Sequence, residues 1–246
     1  MPESLSLPGG FVNAVVRVGE TVRRPASART KFVGDLLGLF EAGGWSGAPR
    51  YLGVDDEGRE VLSYLEGHVA WERRQPAAVS SDESLVRVAR LVREFHDLTA
   101  GTMLAGDQEV VCHNDLAPRN TVYLLSGGGL RPAAFIDWDL AAPGARIHDI
   151  AHVCWQYLGL GPAVTDVGEA VRRMRLVVDS YGLVDRRPLV STILWWQERC
   201  WRGIEAQADA GDAAMARLRD TGVVRQVQMA YRWVCDHRGA LERSLQ

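Results

Sequence analysis

The chain has 246 residues, 47% of them hydrophobic and 24% charged, which fits a folded globular protein and excludes disordered, collagen-like and coiled-coil architectures. Lys and Arg number 28 against 31 Asp and Glu, a net charge of -3 without a basic stripe, so nucleic acid is not an expected partner. Four cysteines (Cys112, Cys154, Cys200 and Cys235) show neither C-x-x-C nor zinc spacing and read as reduced thiols. The opening Met1-Pro2-Glu3-Ser4 lacks the basic and apolar regions of a signal peptide, and the apolar stretch Leu189 to Trp196 is too short to span a bilayer. A cytoplasmic location with no membrane partner is the expectation.

In chain order, Phe11 to Val18 and Thr21 to Arg24 are predicted strands around Gly19-Glu20, a two-residue turn with glycine first, and Pro25 is expected to end the second strand. From Arg29 to Ala42, Phe32, Val33, Leu36, Leu37 and Phe40 recur at helical spacing, and Gly43-Gly44 stops the helix. Two more strands, Arg50 to Val54 and Glu60 to Leu65, flank the turn residues Asp55-Asp56-Glu57-Gly58. Ser80 with Glu83 predicts a capping box ahead of a helix whose apolar face is Leu85, Val88, Leu91, Val92 and Phe95. Thr121 to Leu125 and Ala133 to Ile136 suggest a hairpin around Gly127-Gly128-Gly129, and the chain past Asp149 is helical in pattern, including Leu189 to Ala208 and Val223 to Asp236. The expected class is α+β: a small antiparallel sheet with one helix over residues 1–66, then a larger, mainly helical region over 67–246.

The polar run His113-Asn114-Asp115-Leu116-Ala117-Pro118-Arg119-Asn120 stands between two apolar stretches, and Asp137 ends the strand that follows. Asp115, Asn120 and Asp137 are hard oxygen donors of the kind that suits Mg²⁺. Because Mg²⁺ takes few carboxylates and completes its shell with water and phosphate oxygens, so sparse a set implies a phosphate-bearing ligand.

These residues resemble the small-molecule phosphotransferases typified by aminoglycoside and choline kinases, which share the protein-kinase fold. The family's H-x-D-x-x-x-x-N loop is matched by His113, Asp115 and Asn120, its Ile-Asp-Trp segment by Ile136-Asp137-Trp138, and its trailing Asp-Ile-Ala by Asp149-Ile150-Ala151. The resemblance implies a two-lobed kinase-like fold, with residues 1–66 as the nucleotide-binding lobe and 67–246 carrying the catalytic loop and acceptor site. It also implies transfer of the γ-phosphoryl of ATP or GTP to a hydroxyl of a small acceptor, with an aminoglycoside-like antibiotic the first guess. Asp115 is then the catalytic base, Asn120 and Asp137 hold Mg²⁺, and His113 and Asp149 support the loop. Gly10 and Asn13 would cover the phosphates, and Ser63 and Leu65 belong to the hinge whose backbone meets adenine. The usual phosphate-binding lysine is replaced by Arg23, with Arg24 on the opposite strand face as the alternative. The usual helix glutamate is missing: Phe32 and Val33 occupy the comparable positions, and Asp35 is the nearest acid.

Asp139 reads either as a further acid of the site that contacts the acceptor or as a partner to a nearby arginine, and Glu198 either as a contact for a cationic acceptor or as part of a wet helix face. His96, His148 and His152 read as structural, and Trp195, Trp196, Trp201, Tyr231 and Trp233 as helical core. Two other classes compete: a catalytically weak nucleotide-binding scaffold, and a metal-dependent hydrolase ligated by His113 and Asp115.

Overall fold

The computed structural model describes residues 4–6, 15–72, 74–243 and 245. β1 (Ser4–Ser6), β2 (Val16–Val18), β3 (Thr21–Pro25), β4 (Tyr51–Val54) and β5 (Arg59–Ser63) form an antiparallel sheet in the order β1-β2-β3-β5-β4. Gly19, at φ 59°, takes the left-handed conformation that a tight turn between β2 and β3 requires. Pro25 is the last residue of β3 and pairs with Arg59, so the strand runs one residue past its expected end. Because side chains alternate along a strand, Arg23 and Arg24 leave β3 on opposite faces, and the β3/β5 register sets Arg24 directly opposite Glu60.

Between β3 and β4, α1 (Thr30–Ala42) buries Val33, Leu36, Leu37 and Phe40, the stripe its 3.6-residue period predicts. After β6 (His68–Val69), α2 (Asp82–Thr99) buries its expected apolar face. Its cap is Ser81, whose hydroxyl accepts from the Ser84 N–H, one residue later than the predicted capping box at Ser80. β7 (Val110–Cys112) leads into the polar run. β8 (Thr121–Ser126) and β9 (Gly129–Phe135) then form the expected hairpin, with β6 on its outer edge. β10 (Ala142–Gly144) returns to pair with β7. A cluster of rings from α1, α2 and the segment after β9 knits this core: Trp138 lies 5.0 Å from Phe40 and 5.1 Å from Phe95, in tilted and edge-on geometries. Each such buried ring contributes on the order of 2–3 kcal/mol through its removal from water.

The chain separates into compact units at 149/150, and within the first unit α2 packs on α1, β7 and β9 and joins the earlier elements to the hairpin. α3 (Arg146–Leu158) crosses that boundary. In the second unit, α4 (Val167–Tyr181) is capped by Asp166 and stopped by Gly182 at φ 77°. α5 (Leu189–Asp209) packs on α6 (Ala213–Asp220) and α7 (Val223–Arg243). Among the described residues, no helix is long and apolar enough to cross a membrane.

Candidate active site

The polar run folds around one buried carboxylate. Asp149, fully removed from solvent, accepts from the backbone N–H of His113 at 2.7 Å, from the Asn114 N–H at 2.9 Å, and from His96 Nε2 at 3.1 Å. Burial opposes the charge on Asp149, but these donors outweigh it and hold the carboxyl below its ordinary range. Burial pushes His96 down, so the pair is a neutral imidazole donating to a carboxylate. Asn114 occupies the left-handed region at φ 64°, a conformation asparagine tolerates better than most residues, and its side chain donates to the Leu140 carbonyl.

His113 is buried too. Its Nε2 lies 3.1 Å from the Ile136 carbonyl and its Nδ1 accepts from the Asp115 N–H at 3.3 Å, which fixes an Nε2–H tautomer. With both ring nitrogens engaged, His113 has no lone pair for a metal, which argues against the hydrolase reading. Its ring lies against Trp138, centroids 4.4 Å apart.

Asn120 donates through Nδ2 to the Asp115 carboxylate at 2.7 Å and to the Asp115 carbonyl at 2.8 Å, and thereby directs its amide oxygen elsewhere. The Asn120 carbonyl accepts from the Ile136 N–H at 2.9 Å, which ties the loop to the residue preceding Asp137. Asp137 itself sits at φ 66°, a left-handed conformation that costs a non-glycine residue on the order of 1–2 kcal/mol and re-aims its carboxylate. Arg119, which the sequence did not single out, reaches Asp115 Oδ1 at 2.9 Å.

On the sheet, the two candidate arginines take different partners. Arg23 pairs with Asp55 at 3.0 Å, on the face that also carries Arg59. Arg24 is buried and reaches the acids: its Nε lies 2.6 Å from Glu60, its Nη2 2.5 Å from Asp139, and its Nη1 3.8 Å from Asp137. Strand alternation left two faces open; the structure turns the Arg24 face toward Asp137. Three carboxylates thus share one guanidinium. Desolvation, then the charges of Asp139 and Asp115, raise the Asp137 carboxyl above its ordinary range, although half of its side chain remains exposed. Excess negative charge on hard carboxylate oxygens, on a segment whose Ile136 N–H bonds the Asn120 carbonyl, is a donor chemistry that fits Mg²⁺.

Elsewhere, Ser63 N–H is committed to the Arg50 carbonyl and Tyr64 N–H to the Glu20 carbonyl. Leu65, next along, has no backbone hydrogen bond to any described residue. Gly10 and Asn13 lie outside the described residues. Glu198 lies on α5 in the second unit, paired with Arg202 at 2.8 Å. Sequence reasoning missed Glu60, although the signal was present: in Arg59-Glu60-Val61-Leu62 it shares a strand face with Leu62, and an acid on an apolar face needs a partner.

Residues 45–175, just over half of the chain, match the model of the phosphotransferase enzyme family. A trifolitoxin immunity protein of Rhizobium leguminosarum bv. trifolii is 30% identical over 210 residues, covering 74% of this chain and 76% of that protein. Among solved structures, an ethanolamine kinase of Plasmodium vivax superposes with a TM-score of 0.65 at 12% identity, covering 99% of this chain and 83% of that one. The GDP complex of aminoglycoside 2'-phosphotransferase-IIIa gives 0.62 at 14% identity, covering 96% and 93%. These likenesses establish the expected α+β, protein-kinase-like fold. The chain belongs to the phosphotransferase enzyme family, and within it reads as a small-molecule kinase.

Proposed function

We propose that this protein transfers the γ-phosphoryl of ATP or GTP to a hydroxyl of a small acceptor. The observation that carries the reading is the convergence of Asp115, Asn120, Asp137 and Arg24 around a loop anchored by Asp149. Asp115 accepts the acceptor's proton as its oxygen bonds phosphorus, and the bond from phosphorus to the leaving oxygen breaks to release the nucleoside diphosphate. Asn120, which donates to the Asp115 carboxylate, holds it in place, and Arg119 balances its charge before the acceptor enters. Arg24 grips phosphate oxygens with its guanidinium edge, a task to which arginine's planar fork is suited. Asn120 Oδ1, Asp137 and Asp139 would hold Mg²⁺, which would supply positive charge to offset that of the phosphates. Little covalent help is needed for such a transfer; positioning and charge neutralisation supply most of the acceleration.

In this reading residues 1–66 hold the nucleotide, with the backbone of Leu65 rather than Ser63 or Tyr64 offered to the base, and 67–246 carry the catalytic loop and acceptor site. The intact donor set disfavours a scaffold without turnover. The immunity protein among its relatives supports a protective role, in which phosphorylation disables a toxic hydroxylated compound in the cytoplasm. The test is Mg²⁺-dependent ADP or GDP release against aminoglycosides, choline-like amines and sugars. Acceptor-dependent release that Asp115→Ala abolishes is expected; release that survives that substitution would remove Asp115 from the reaction.

A further inference from the structure

Glu60 is 2% exposed, and a carboxylate buried to that degree requires a charged partner. Its partner is Arg24, directly opposite across the β3/β5 ladder, with Glu60 Oε2 at 2.6 Å from the guanidinium Nε. The contact fixes more than charge. A guanidinium is planar, so anchoring the Nε edge on Glu60 sets the direction of the whole group and leaves Nη1 and Nη2 facing Asp137 and Asp139.

Helix α1 supplies no carboxylate for this purpose. Val33, Leu36 and Leu37 on its inner face are buried and apolar, and its two acids are exposed and paired elsewhere: Asp35 with Lys31 at 2.7 Å and Glu41 with Arg50 at 3.5 Å. We infer that Glu60 is the positioning residue that orients Arg24 toward the nucleotide phosphates, in the place of a helix glutamate. The inference rests on the phosphate-binding role proposed above for Arg24. Because both partners belong to adjacent, hydrogen-bonded strands, the direction of Arg24 is set inside the sheet and does not depend on the placement of α1.

The test is calorimetric titration of Mg·ATP and Mg·GTP into the full chain, with thermal melting run on each variant. Wild type is expected to bind one or both nucleotides. Glu60→Gln, which keeps the shape but loses the charge-assisted bond, is expected to weaken binding about tenfold. Glu60→Asp retains the charge but withdraws the carboxylate by one methylene, and is expected to weaken binding several-fold at an unchanged melting temperature. That result separates orientation from both charge balance and folding, and it stands even where Glu60→Gln does not fold. Asp35→Asn is expected to bind as wild type does. Wild-type affinity in Glu60→Asp, or a loss in Asp35→Asn equal to that in the Glu60 variants, overturns the inference alone. A wild-type protein that binds neither nucleotide overturns the phosphotransferase reading and this inference with it.

Discussion

Two carboxylate centres lie within one compact unit and are built on opposite principles. Around Asp149, one buried acid meets three N–H donors, and these hydrogen bonds hold its carboxyl below the ordinary range. Around Arg24, three acids share one guanidinium, and desolvation, then the charges of Asp139 and Asp115, raise the Asp137 carboxyl. The balanced centre shapes the loop; the unbalanced one carries three carboxylates against one guanidinium. Both cost folding free energy, and on the proposed function only the second would recover part of that cost when a ligand binds.

The comparison is broken most directly at the acid that belongs to neither centre's scaffold. Asp115→Ala is expected to lower turnover by about a thousandfold, the usual scale for a general base, while nucleotide affinity stays within about twofold. Steady-state rates beside calorimetry check it. At the balanced centre, Asp149→Asn would leave backbone donors facing an amide, and is expected to destabilise the fold by about 3 kcal/mol, seen as a melting temperature lower by roughly 10 °C. At the unbalanced centre, Arg24→Gln is expected to raise KM for nucleotide by about tenfold or more, whereas Arg23→Gln removes a pairing with Asp55 and leaves KM within about twofold. Equal effects of the two arginine variants would undo the facing assigned here.

The smallest effect concerns pH. His96 is held neutral by burial, so as pH falls below about 6.5 the unfolded chain takes up a proton that the folded chain refuses, and stability drops. Asp149 adds to this at lower pH: its depressed carboxyl contributes stability above the unfolded carboxylate range, and that contribution is lost as pH falls through its folded value. Melting temperatures measured between pH 5 and 7.5 should fall on the acid side, and His96→Gln should flatten the limb between about 5 and 6.5.

What the sequence made legible follows from locality. His113, Asp115 and Asn120 share one loop, and Asp137 closes the adjoining hairpin, so the spacing alone pointed to a common site. The periodicity of α1 and α2 was equally plain. Arg24 and Glu60 were harder, because their relation lives in the pairing of β3 with β5, and alternation shows that Arg23 and Arg24 diverge without showing which of them faces inward. The short strands β6, β7 and β10, of two or three residues each, carry too few side chains to display a period. The cap at Ser81 differed from the predicted one because Ser80 and Ser81 are chemically equivalent candidates.

The hairpin has a consequence in time as well as in space. Asn120 stands just before β8 and Asp137 just after β9, only 17 residues apart in the chain, whereas Arg24 precedes Asp137 by more than a hundred. Isolated hairpins close in about 1–10 μs, while pairings between distant segments must first overcome the entropy of a long loop. The residues at the hairpin's two ends, Asn120, Asp137 and Asp139, are therefore brought together by a local event, and Arg24 is added by a distant one. In pulse-labelled refolding, amides of β8 and β9 should gain protection before those of β3 and β5.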